Sequence, residues 1–158
     1  LGMTIVDARV TPVGDDYSLD TFIFMEADKR IDIDEARLGK IRRSLARILT
    51  ATEEGIVRVT RAAPRQVRVF KTATSVEFSD NPADGQTVME LVAADRPGLL
   101  SKVGRTFLAQ GVDIAAAKIM TIGERAEDVF YICRHDGSPL DAEAQAHLRE
   151  SLVATLET

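Results

Sequence analysis

A strand-length pattern that occurs twice constrains this chain more than any other feature. Gly2-Met3-Thr4-Ile5-Val6-Asp7-Ala8-Arg9-Val10 aligns with Gly111-Val112-Asp113-Ile114-Ala115-Ala116-Ala117-Lys118-Ile119. Gly14 then falls opposite Gly123, and Leu19-Asp20-Thr21-Phe22 opposite Glu127-Asp128-Val129-Phe130 after a shift of one residue. A turn and an amphipathic helix follow in each copy, so two strands and a helix recur.

In the first copy the helix starts near Asp34, a suitable N-cap, and carries Leu38, Ile41, Leu45, Ile48 and Leu49 on one face. In the second it follows Ser138-Pro139-Leu140-Asp141, where Ser138 suits the cap and Pro139 the first helical position. Leu148, Leu152 and Leu156 make its apolar stripe.

Only the second copy is preceded by a further strand, Thr87 to Ala93, a loop, and a helix from Leu99 to about Gln110. On that helix Leu100, Val103, Phe107 and Leu108 face one way, with Gly104 on the same side for close approach to a sheet. Gly111 is placed as its C′ residue. Strand, helix, strand, strand, helix is the order of a ferredoxin-like split β-α-β. The predicted class is α+β, an antiparallel sheet with helices on one face.

The first copy lacks the opening strand and helix. A unit in that state exposes a sheet edge and a helix face, which predicts a homo-oligomer, with elements exchanged between chains. Ser75 to Ser79 precedes the turn-rich Asn81-Pro82-Ala83-Asp84-Gly85, so a hairpin can set a substitute edge strand, about 75–80, beside Thr87 to Ala93. The expected organisation is an incomplete unit over 1–62, a linker over 63–86 carrying that strand, and a second unit over 87–158.

Asp95-Arg96-Pro97-Gly98 joins the apolar strand directly to the amphipathic helix. Proline fixes φ and pushes Arg96 toward an extended conformation, and Gly98 has no Cβ to hold a ligand away from the backbone. The free N–H groups of the helix's first turn then suit a carboxylate. A free amino acid is a zwitterion, and Asp95 offers its ammonium an acceptor while amides near Gly98, Leu99 and Leu100 offer donors. The same residues also suit a plain helix start, with Asp95 as cap and Pro97-Gly98 as turn.

A composition of 45% hydrophobic and 28% charged residues implies a globular chain with a real core. No apolar run approaches the roughly 20 residues of a membrane span, and no signal peptide is visible. A net charge of −5 argues against general nucleic-acid binding. Arg58, Arg61, Arg65, Arg68 and Lys71 form a local basic run without acids, read either as a solvated connector or as a docking strip. Cys133 is the sole cysteine, which excludes an internal disulfide and suits a reducing, cytoplasmic setting.

Val88-Met89-Glu90-Leu91-Val92-Ala93-Ala94-Asp95-Arg96-Pro97-Gly98-Leu99-Leu100 resembles the opening of an ACT domain. Ala117 to Tyr131 is similar to the second of the tandem ACT domains that end the bacterial PII uridylyltransferase/uridylyl-removing family. Asp7-Ala8-Arg9, Leu19-Asp20-Thr21-Phe22 and Pro64-Arg65-Gln66 resemble the first domain and linker of that family. The resemblance implies a regulatory region sensing an amino acid, expected to be glutamine, in a bifunctional enzyme of nitrogen metabolism. It further implies the PII signal protein as partner and catalytic domains outside these residues that need UTP and divalent metal, Mg or Mn. ACT ligands often lie between the loop and the second strand of a neighbouring unit, which points to Asp113, Ile114 and Ala115. The expected ligand-binding set is therefore Asp95, Arg96, Pro97, Gly98, Leu99, Leu100, Asp113, Ile114 and Ala115.

The residues themselves offer no chemistry of their own. His135-Asp136 looks like a piece of a metal-hydrolase signature, but His147 is the only other histidine, and His135 reads as a turn beside Gly137. No phosphate loop, no metal-spaced Cys and His set and no activated nucleophile is present, so no catalytic residue, metal or cofactor is expected here. Paired acids such as Glu53-Glu54 and Glu127-Asp128 would point to opposite faces of a strand. The alternative is a ligand-free module docking PII or the catalytic domains through the basic run. A small ferredoxin-like enzyme lacks convergent groups, and an RNA-recognition sheet lacks the aromatic platform it needs.

Overall fold

Among the described residues, three hairpins are each followed by a helix. In the computed structural model, which describes residues 3–13, 17–26, 34–50, 72–81 and 85–157, β1 (Met3–Val13) and β2 (Tyr17–Glu26) precede α1 (Glu35–Leu49). β3 (Ser75–Asn81) and β4 (Gln86–Ala94) precede α2 (Leu99–Ala109), and β5 (Val112–Ile122) and β6 (Arg125–Arg134) precede α3 (Ala142–Leu156). The strands form a six-stranded antiparallel sheet in the order β2-β1-β5-β6-β4-β3. The fold is α+β and ferredoxin-like. The basic run and Glu53-Glu54 lie outside the described residues, as does the expected boundary at 62/63.

The sequence repeat has a physical counterpart in the strands. β5 carries one extra residue relative to β6 at Ala115, and β1 carries one relative to β2 at Val6. These two bulged positions are equivalent in the alignment. In β5 the bulge changes which residues face the core, from Val112 before it to Ala117 and Ile119 after it. The halves join through β1 and β5, where Arg9 pairs with Lys118. Those residues are also aligned with each other, so the two hairpins meet about a local twofold axis.

β4 and β6 alternate strictly, burying Thr87, Met89, Leu91 and Ala93 on one strand and Ala126, Asp128, Phe130 and Ile132 on the other. α2 and α3 cover that face. α3 contributes Leu148, Leu152 and Leu156, and the Phe107 and Phe130 rings meet edge to face at 5.3 Å. Of the expected face, α2 buries Val103 and Phe107 and packs Leu100 partly against the core, while Leu108 is exposed and Leu99 and Thr106 complete the buried side. Leu99 replaces Leu108 because the 99–103–106 spacing keeps to one side of the helix, whereas residue 108 falls about 100° past Phe107. Gly104 likewise faces outward, with nothing within 4 Å of where its Cβ would be.

The last helix begins later than Ser138 suggests. Asp141 is the N-cap, its carboxylate accepting from Ala144 N at 2.8 Å. Ser138 instead donates from its backbone N to Asp136 at 2.9 Å. Leu140 is buried and donates its N–H to Thr87 Oγ1 at 2.9 Å. Burying Leu140 takes this segment out of helical geometry and hands the cap to the next free carboxylate. β3 pairs with β4 from Ser75 to Asn81 and forms one edge of the sheet, β2 the other.

Candidate ligand-binding site

The strand β4 delivers its last residue, Ala94, to a sharp bend that opens α2. Asp95 N–H donates to Glu124 O at 2.9 Å, fastening the bend to the β5–β6 turn, and Leu99 N–H donates to Arg96 O at 3.0 Å. Gly98 sits at φ 89° and ψ 3°, a left-handed conformation that a Cβ would make costly, and it is the helix N-cap. No side chain caps this end. The first helical bond runs from Lys102 N to Gly98 O at 2.9 Å. The Leu99 amide is thus already engaged, while no hydrogen bond from the Gly98, Leu100 or Ser101 N–H groups closes within the described residues. Their dipoles and that of the helix favour an anion here by about 0.3–1 kcal/mol.

Asp95 does not serve as the cap. Its carboxyl is half-buried beside the bend, and burial raises its pKa. Arg96 is exposed. A second acid lies inside the same end of the sheet. Asp128, on the core-facing side of β6, is 1% exposed, and its Oδ1 accepts from Met120 N at 3.2 Å. Its Oδ2 is buried without a hydrogen-bond partner. Burial, opposed by the Met120 bond and reinforced by Asp95, raises its pKa to about 7. The sequence offered one signal for it, an acid at the inward parity of an apolar strand, and reading the pair Glu127-Asp128 as two opposed faces passed over which face was the core.

The structure gathers Asp95 to Leu100 into one bend but sets Asp113, Ile114 and Ala115 at the other end of β5. The ten residues from Asp113 to Ile122 span about 30 Å of strand. Asp113 and Ile114 are exposed, and Asp113 Oδ2 lies 3.0 Å from His135 Nδ1. His135 stands in the β6–α3 turn, which Gly137 closes at φ 80°. β1 runs antiparallel to β5, with Asp7 opposite Met120, and the residues before Asp7 continue toward the β5 end that holds the bend. That stretch, Thr4-Ile5-Val6, is the repeat counterpart of Asp113-Ile114-Ala115. β5 and β6 stand between β1 and β4, the strand that leads into the bend, so β1 is not its direct neighbour.

Three further titratable groups are shifted by their surroundings. Cys133 is half-buried, and its thiol pKa is raised by burial and then by Asp113 and Asp136. Bonds from Ser138 hold Asp136 below the usual carboxylate range, and the Ala144 amide does so for Asp141. Among the described residues no three His, Cys, Asp or Glu side chains gather where a metal ion could be held. No helix among them is long and apolar enough to cross a membrane.

The family model of the ACT domain matches residues 87–150. This part of the chain is an ACT domain. Over 154 residues the chain is 40% identical to the bifunctional uridylyltransferase/uridylyl-removing enzyme of Photobacterium profundum, covering 98% of this chain and 17% of that protein. It is 39% identical over 154 residues to the enzyme of the same name from Methylococcus capsulatus, covering 97% of this chain and 18% of that one. With the Acinetobacter baumannii enzyme it shares 33% over 157 residues, again 99% of this chain and 18% of the relative. The chain thus spans less than a fifth of the curated relatives it matches. No solved structure matches it.

Proposed function

We propose that this chain is the regulatory amino-acid-sensing region of a uridylyltransferase/uridylyl-removing enzyme, with glutamine as its ligand and nitrogen metabolism as its context. The observation that carries this reading is the uncapped start of α2, where unpaired backbone donors stand beside the Asp95 carboxylate on an ACT scaffold. A carboxylate on the amides and an ammonium toward Asp95 satisfy both ends of a zwitterion.

A ligand that binds one arrangement of the region better than another moves the equilibrium between them by that differential affinity. Allosteric coupling is typically about 1–3 kcal/mol, enough to change opposing activities several-fold. The enzyme's action on PII, and its need for UTP and Mg or Mn, belong to segments other than the bend described here. Assembly into a homo-oligomer fits the apolar side chains that β2 and α1 leave exposed.

Calorimetry of the 158-residue chain with L-glutamine tests the reading. Binding that is lost in Gly98→Val, while binding at unrelated surfaces is not, supports it. Equal heats from the wild type and Gly98→Val remove the bend as the site.

A further inference from the structure

One row of side chains crosses the entire sheet on the face turned away from α2 and α3. Thr21 of β2 pairs with Arg9 of β1, Arg9 with Lys118 of β5, Lys118 with Val129 of β6, Val129 with Glu90 of β4, and Glu90 with Glu77 of β3. Their strand neighbours Ala8, Ala117, Phe130, Met89 and Val76 are buried, so the row itself points outward. Arg9, Lys118, Glu90 and Glu77 are exposed. Between Thr21 and the β3 edge the order is two bases, an apolar centre and two acids.

The fold gains nothing from that order. Like charges directly opposite one another on adjacent strands are destabilising, and Arg9 faces Lys118 as Glu90 faces Glu77. Among the described residues, none of Arg9, Lys118 and Glu90 enters an ion pair that offsets this. The charges are, however, antisymmetric about Val129, which is what a self-complementary surface needs. A second copy turned over about an axis that runs along β6 through Val129 presents the same row reversed. Glu90 then stands over Lys118 of that copy, and Glu77 over its Arg9. Stacked sheets lie about 10 Å apart, a gap that an acidic and a basic side chain close together.

We propose that this face of the sheet docks a second copy of the chain, face to face, through Glu90 with Lys118 and Glu77 with Arg9 across a twofold axis at Val129. Apolar side chains flank the charges. Val88, Tyr131 and Ala116 lie on one side of the row and Val92 and Met120 on the other, all partly exposed. Glu127 meets its own copy near the axis, but Arg125 already pairs with it at 2.9 Å. With β6 on the axis the strands from β3 to β1 overlap, and β2, with its exposed apolar side chains, lies beyond them. Five strands about 4.8 Å apart and about 20 Å long give a projected footprint of about 500 Å² per copy, the low end for a specific dimer. The association is therefore weak and depends on salt. It does not depend on whether the bend binds an amino acid.

Sedimentation equilibrium of the 158-residue chain tests this. At about 100 μM the wild type is expected to dimerise, and raising salt from about 50 to about 500 mM should weaken the dimer about tenfold. Glu90→Lys and Lys118→Glu each set like charges over one another across the axis and should weaken it by about tenfold or more. Each also turns a like pair within the chain into an unlike one, so at a dilution where every chain is monomeric its melting midpoint should match or exceed that of the wild type. Mixed one to one, the two variants meet with opposite charges and should assemble again, as should the double variant with itself. A wild type that stays monomeric at about 100 μM overturns the proposal, the face then being left to another occupant such as a segment of a longer protein. Assembly that persists in both single variants places the contact on another surface and overturns it as well, and so does a mixture that stays monomeric.

Discussion

The two hairpins that meet at the twofold carry the same pattern and even the same bulge, yet they end in different environments. The β5–β6 hairpin lies under α2 and α3, and its inward residues Ala117, Ile119, Phe130 and Ile132 are buried. The β1–β2 hairpin keeps Leu19, Phe22, Ile23 and Met25 exposed, and α1 buries only Ile41 while Leu45, Ile48 and Leu49 face outward. Equal periodicity thus yields unequal packing. An amphipathic pattern specifies which side chains need cover, and tertiary neighbours decide whether they get it.

That contrast breaks most sharply at matched leucines. Leu152→Ala, at a fully buried position of α3, is expected to cost about 2–5 kcal/mol in urea unfolding. Leu49→Ala on α1, where the side chain is 82% exposed, should stay within about 0.5 kcal/mol. A comparable loss at Leu49 would mean that α1 packs against something in solution, and sedimentation of the variant would then show whether a second copy is that partner.

The next effect isolates the polar group in the well-covered half. Asp128 holds its proton up to about pH 7 when folded, against an ordinary carboxylate value when unfolded. The folded state therefore binds more protons between those values, so this group's contribution is fully favourable at low pH and is lost as pH rises through 7. Asp128→Asn should consequently be more stable than the wild type by on the order of 2–4 kcal/mol at pH 8 and closer to it at pH 4. Thermal melts across that range measure it. A difference independent of pH would place the effect in packing instead of ionisation.

Much of this architecture was readable from the chain, and the failures have identifiable causes. Leu148, Leu152 and Leu156 are spaced so regularly that only one face fits them, and Asp34 directly precedes its helix and caps it. α2 was harder because Leu99, Leu100, Leu108 and Ala109 allow two apolar faces, and only the sheet selects Leu99 over Leu108. Ser138 and Asp141 both suit a cap, and the burial of Leu140, a long-range effect, decided between them. The bend itself was legible because glycine and proline act locally. Asp128 was hidden because its partner is a backbone amide exposed by a gap in a ladder, which no side-chain spacing encodes.

Two glycines in α2 sharpen the point about local geometry. Gly98 holds a positive φ, so Gly98→Ala should cost about 1–2 kcal/mol. Gly104 lies within the helix and faces open space, so Gly104→Ala should add about 0.5–1 kcal/mol. Opposite signs from the same substitution, in one helix, identify the bend as a conformational requirement. Equal signs would remove the glycine argument for the site.

The smallest expected effect concerns the two edges of the sheet. On the β3 edge, Arg149 of α3 donates from Nε to Val76 O at 2.9 Å, and its guanidinium carbon lies 5.1 Å from the centre of the Phe78 ring. This ties a peripheral strand to the helix layer through both a hydrogen bond and a cation–π contact, each worth about 1 kcal/mol or less at an exposed position. Arg149→Ala should barely move global stability but speed hydrogen exchange of the β3 amides several-fold, leaving β2 unchanged. Arg149→Lys can keep the charge over the ring while losing the planar fork, and should fall between the two. If β3 exchanges at the same rate in all three chains, its protection comes from pairing with β4 alone. The two edges would then differ in the burial of their side chains and not in how they are anchored.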